Sequence, residues 1–151
     1  MGENAMVQSP HSLPIYGNAG EGMPAVDWDG FRRDSAPQTY PAGVELLQQD
    51  RPVGAVHLIN RGMVKLLHLT RDGNGSIVGL RPSGSLLGAA SALLDLPSIL
   101  TAVTTARTDT SIIPAGRFRE LIALGPIFCA GVCKAIALDV SRDAMLAIER
   151  Y

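Results

Sequence analysis

The pattern of apolar and polar positions changes twice along the chain. Residues 1–37 carry no apolar period and are rich in Gly, Pro, Asn and Ser, which predicts a flexible N-terminal arm. Within it only Trp28 and Phe31 are suited to dock on a folded neighbour. From Tyr40 onward, short apolar and β-branched runs alternate with turn signals. Gly43–Leu47, Ala55–Asn60, Met63–Leu69, Ser76–Leu80, Thr101–Thr105 and Thr110–Pro114 read as strands. Asn60-Arg-Gly62 predicts a hairpin between the second and third of these, since Gly62 can take the positive φ of a tight connection. Asp72-Gly-Asn-Gly75 and Arg81-Pro-Ser-Gly84 are two further turns. Short strands with turns at such regular spacing predict an antiparallel roll or barrel.

After Pro114 the period becomes helical. Arg117–Leu124 reads as a short helix stopped by Gly125-Pro126, and Ile127–Tyr151 as one long helix of about 35 Å at 1.5 Å per residue. That helix carries two apolar stripes. One runs through Cys129, Cys133, Ile136, Val140, Ala144, Ala147 and Tyr151; the other is Leu138, Met145 and Ile148. Packing on its own domain needs only one stripe. Two predict a second partner, most simply the same helix of another subunit, with Cys133, Ile136, Val140, Ala144 and Ala147 as the dimerisation residues. The alternative is one broad stripe on a monomer.

Composition narrows the class. A chain of 151 residues suits one domain with a sizeable core, here 38–151, and aromatics at 5% predict that this core is aliphatic. A formal charge of -1 without a Lys/Arg run argues against a nucleic-acid-binding module. Met1–Ser12 lacks the charged and apolar regions of a signal peptide, and no run reaches 18 apolar residues. A cytoplasmic protein without membrane contact is expected. Two cysteines, Cys129 and Cys133, do not make a disulfide framework, and burial as small apolar residues is their default. A thiol sensor at a dimer seam is the alternative.

Three motifs in order, Tyr40-Pro-Ala-Gly43, His57–Leu66 and Gly84-Ser-Leu-Leu-Gly88, resemble those of the cyclic-nucleotide-binding domain family, and within it the Crp/Fnr transcription regulators. Pro97 and Thr101-Ala102 continue the resemblance, with Ser83 where that family often has Pro. The resemblance covers Tyr40 to about Tyr151. It implies a mainly β fold with C-terminal helices (α+β): an antiparallel, jelly-roll-like β-roll, or double-stranded β-helix, followed by a long dimerisation helix. The function it implies is a non-catalytic sensor and dimerisation domain, shifting its long helix when an effector occupies the roll. In such regulators a helix-turn-helix domain follows the long helix. Contact with DNA is therefore expected only through a domain outside this chain.

The ligand segment of that family, here Gly84–Ala102, would place an effector against Leu87, Gly88, Ala89, Ala90, Ser91, Pro97, Ser98, Thr101 and Ala102. The family bonds the ribose through a Glu directly after the phosphate-segment Gly, and the phosphate through an Arg near the following Pro. Here Ala89 follows Gly88, and between Gly84 and Ala106 the only charge is Asp95. An anion buried without its charged partner costs several kcal/mol. Tight binding of cAMP or cGMP in the usual mode is therefore not expected. What remains is either a site for an unidentified effector or a stand-alone scaffold domain whose pocket has collapsed.

A cupin-like metal enzyme would share the barrel but needs clustered His and Glu ligands. Hairpin pairing about Arg61 would set His57 beside Lys65 rather than His68, and Glu45 alone does not complete a set. Two cysteines fall short of the four that iron–sulfur binding takes. No metal, cofactor or catalytic residue is expected.

Overall fold

The computed structural model describes residues 28–149. The chain enters through a short helix, α1 (Asp29–Arg33), and continues into strand β1 (Ala36–Tyr40). β2 (Glu45–Leu47), β3 (Ala55–Arg61), β4 (Met63–Leu69), β5 (Gly75–Pro82) and the two-residue β6 (Leu86–Leu87) follow. A six-residue helix, α2 (Ala89–Leu94), precedes β7 (Thr101–Thr104) and β8 (Thr108–Pro114). Two helices close the chain, α3 (Ala115–Leu124) and α4 (Pro126–Glu149).

The strands form two four-stranded antiparallel sheets, β1-β8-β3-β6 and β2-β7-β4-β5, which is the roll predicted from the strand pattern. One connection differs. β3 and β4 are not a hairpin: β3 lies between β8 and β6, and β4 between β7 and β5. His57 therefore opposes Ile112 and Leu87, whereas Lys65 opposes Leu80 and Val103 in the other sheet. Gly62 is where the chain crosses between sheets. Its φ is 114°, and a Cβ there would lie 2.5 Å from Thr108 Oγ1 and 2.7 Å from the Arg107 carbonyl. The turn residue was legible; its partner strands, set by distant parts of the chain, were not. β4 and β5 do form a hairpin, closed by Thr70 N–H donating to the Asn74 carbonyl (2.8 Å).

Two cores result. Between the sheets, Ile59, Val64, Leu66, Leu87 and Ala102 pack with Leu46, Leu47, Val78 and Leu100, as aliphatic as composition predicts. On the outer face of the first sheet, Val56, Leu58, Leu86 and Ile113 meet the helices. This second core is aromatic. Trp28, Phe31, Phe118 and Phe128, the only Trp and all three Phe of the chain, gather there. Trp28 and Phe31 dock as their apolar character suggests, so the fold begins at least ten residues before Gln38; the remainder of the expected arm, 1–27, lies outside the described residues.

His57 alternates with Val56 and Leu58 on β3 and is 6% exposed. Burial lowers its pKa to about 4, and its Nδ1 has no hydrogen-bond partner among the described residues. Above pH 6.5 the imidazole is neutral folded and unfolded, so it costs nothing. As pH falls from 6.5 towards 4 the unfolded chain takes up a proton that the folded chain refuses. Stability should fall over that window by about 3 kcal/mol, at 1.36 kcal/mol per pH unit. Urea midpoints at pH 7 and pH 4.5 test this: the drop should shrink in His57→Leu, and an equal drop in both proteins would contradict it.

Candidate functional site

The segment Gly84–Ala102 does build a pocket, at the edge of the roll where β6 turns into α2. Gly88 makes the turn possible. Its φ is 82°, and a Cβ would lie 2.8 Å from Val53 Cγ1 and 3.3 Å from the Ala55 carbonyl, so only glycine lets α2 press against the start of β3. α2 buries Ala89 and Ala92 against the helix-side core. Asp95 ends it in the left-handed region at φ 54°, and Leu96 N–H closes back on the Ser91 carbonyl (3.0 Å).

The cavity measures about 220 Å³. Of the residues expected there, Leu87, Gly88, Ala89, Ala90, Ser91 and Ser98 line it. Pro97, Thr101 and Ala102 do not. Pro97 faces solvent, Ala102 is buried between the sheets, and the Thr101 hydroxyl accepts from Gln49 N–H (3.0 Å). Thr101 and Ala102 are neighbours on β7 and point to opposite faces of that strand, and neither side chain lines the cavity. Ser98 donates to the Leu100 carbonyl (2.6 Å), fixing the loop that carries Ile99 over the mouth.

The far wall comes from outside the segment Gly84–Ala102. α4 supplies Ile136, Asp139 and Val140, and β5 supplies Arg81. Arg81 and Asp139 are 8% and 6% exposed. The guanidinium makes a two-pronged bond to Asp143, Nη1 to Oδ1 at 2.7 Å and Nη2 to Oδ2 at 2.8 Å, while its Nε lies 3.5 Å from Asp139. Asp139 also accepts from Arg142 (2.8 Å) and from the Ser85 hydroxyl (3.2 Å). Gly79 completes the seat: a Cβ there would lie 2.6 Å from Asp143 Oδ1. Burial alone would lower the Arg81 pKa, but the hydrogen bonds to Asp143 and the charges of both aspartates outweigh it and hold it above its ordinary value. Burial pushes the Asp139 carboxyl up, against the pull of Arg81, Arg142 and Ser85.

Two signals could have found this clasp: a lone Arg ending a strand just before the ligand segment, and an Asp breaking the apolar face of a helix. Their juxtaposition could not be read. The two apolar stripes on α4 also need correction. The face toward the domain is Phe128, Val132, Ala135, Ile136 and Asp139. Ile136 thus packs on its own core, whereas Cys133, Val140, Ala144 and Ala147 are exposed. Because Val132 and Ala135 take the inward positions, the cysteines are not buried as expected: Cys129 is half-buried, Cys133 exposed, and both are free thiols. Among the described residues no three His, Cys, Asp or Glu side chains gather to hold a metal, and no single helix is long and apolar enough to cross a membrane.

A sequence model described as the cyclic nucleotide-binding domain matches residues 37–124. The chain belongs to that family. Among solved structures it is similar to the c-di-GMP responsive global regulator CLP of Xanthomonas campestris, at 15% identity over 78% of this chain and 59% of that one, TM-score 0.69. The catabolite activator protein of Thermus thermophilus aligns at 22% identity over 93% and 62%, TM-score 0.66. FixK2 of Bradyrhizobium japonicum aligns at 16% identity over 73% and 54%, TM-score 0.63. These Crp/Fnr-type neighbours share the roll and long helix implied by the sequence resemblance, and this cyclic nucleotide-binding domain spans less than two thirds of the length of each. No curated protein matches the chain.

Proposed function

We propose that this domain is the non-catalytic, cytoplasmic sensor and dimerisation module of a Crp/Fnr-like transcription regulator, and that its effector is not a cyclic nucleotide held in the usual mode. The wall of the cavity carries the reading. Its cassette face offers Ala89 and Ala90 with the hydroxyls of Ser91 and Ser98, and its only guanidinium among the described lining residues, Arg81, is already paired with aspartates from α4. A cyclic phosphate placed at the cassette would meet methyl groups where it needs a cation. At about 220 Å³ the cavity is also smaller than the roughly 300–1,000 Å³ of sites for drug-sized ligands. A collapsed scaffold is the weaker reading, because a cavity stands where collapse would have filled it.

Exposed Val140, Ala144 and Ala147 give α4 an apolar face for the same helix of a second subunit. Since Val140 also lines the cavity, effector and dimer partner would meet on one helix. Isothermal titration with cAMP and with cGMP tests the ligand claim. No binding tighter than micromolar is expected for either; a sub-micromolar affinity for one of them would overturn the proposal.

A further inference from the structure

The pocket described above is mostly apolar, yet one side of it is a buried ion network shared between the roll and α4. Arg81 belongs to β5 and lines the cavity; Asp139 and Asp143 belong to α4. Such a network is a poor source of net stability, because desolvating the charges cancels most of their attraction. It is well suited to exchange. If another carboxylate takes the place of one aspartate, Arg81 stays paired throughout and no buried charge is stranded.

The two aspartates differ in their freedom to leave. Asp139 has a side chain 8% exposed and is also held by Arg142 and Ser85. Asp143 has a side chain 32% exposed, and its bonds to Arg81 are what tie it to the roll. Released, Asp143 is hydrated, and with it goes the attachment of the distal half of α4 above Gly79. Asp139 remains 3.5 Å from Arg81, so a second negative charge on the incoming group would be repelled.

We propose that Arg81 is the anion receptor of this cavity, and that Asp143 is its internal ligand. The effector class is then a small amphiphile with one carboxylate and an apolar body, which exchanges with Asp143 and loosens α4 from the roll. The proposal rests on the effector-pocket reading and names its ligand chemistry. The apolar body would lie against Leu66, Leu86, Ile99, Leu100 and Ile136, with the head group toward Arg81.

Octanoate and the uncharged octanol are the probes, titrated calorimetrically into the full chain. Octanoate should bind about tenfold tighter to Asp143→Asn, where the internal competitor has lost its charge, and octanol should bind both proteins alike. The double variant R81M/D143N removes the guanidinium without stranding a charge, because Asp139 keeps Arg142 and Ser85. It should lose octanoate binding and keep octanol binding. Octanoate, but not octanol, should also speed amide hydrogen exchange in residues 139–149 of the wild-type chain. An octanoate affinity unchanged by both variants overturns the exchange, and if octanol still binds, the effector-pocket reading survives alone. Failure of both probes to bind wild type and Asp143→Asn overturns the exchange and counts against the pocket as a small-amphiphile site. Thermal melts of each variant identify any that has failed to fold, and the wild-type exchange measurement then decides.

Discussion

Phe31→Ala should cost this domain about 3–5 kcal/mol of stability, the range for emptying a buried phenylalanine site. Phe31 is fully buried although it sits on a five-residue helix too short to persist alone. Its ring stacks on Phe128 of α4 at 6.1 Å between centroids and 8° between planes. It meets Phe118 of α3 edge-on at 6.5 Å, and Trp28 at 5.9 Å. One ring therefore joins the entry of the chain to both closing helices. Truncation removes the contacts of all three neighbours at once. Domains are typically stable by only 5–15 kcal/mol, so the variant should be partly unfolded in mild urea. The single tryptophan stands beside the lesion, and its emission reports the transition directly. A loss below about 1 kcal/mol would mean that α1 is not docked as described.

Arg81→Ala should be the other severe change. Removing one partner of a buried ion pair typically costs about 3–5 kcal/mol, mostly through the charge left behind. Here Arg142 still reaches Asp139, so the low end, about 3 kcal/mol, is expected. The origin of the loss is separable. In R81M/D143N no carboxylate is stranded, because Asp139 keeps Arg142 and Ser85, and most of the stability should return. Urea melts at pH 7 provide the comparison; a double variant no more stable than Arg81→Ala would rule out stranded charge as the cause.

Local features were legible in the sequence and pairings were not. β4 has the predicted bounds, Met63–Leu69, and Gly125-Pro126 separates the two closing helices as expected, because turn and breaker chemistry is local. The crossing at Gly62 looked like a hairpin because a glycine with positive φ serves either geometry. Only the competition between β8 and β4 for the edge of β3 decides it. α1 is not legible because five residues hold no helical period, and β6 because two residues hold no alternation. In the site, Leu87 to Ser91 and Ser98 were found through one contiguous motif. Arg81 and Asp143 are 62 positions apart, and nothing local marks them as partners. Their meeting also reverses part of the sequence reading: a cation does reach the cavity, but it arrives with its own counterions.

The bend between α3 and α4, 118° at Gly125, has a mechanical meaning. Treated as a fulcrum, it sets α4 as a lever whose load is felt at the cavity wall, at Ile136, Asp139 and Val140. That wall lies about 18 Å along the helix from Pro126, and Glu149 lies about 35 Å along it, at 1.5 Å per residue. A rigid α4 would roughly double at Glu149 any displacement imposed at Asp139. A shift of a single ångström in the pocket would arrive at the end of the helix as about two.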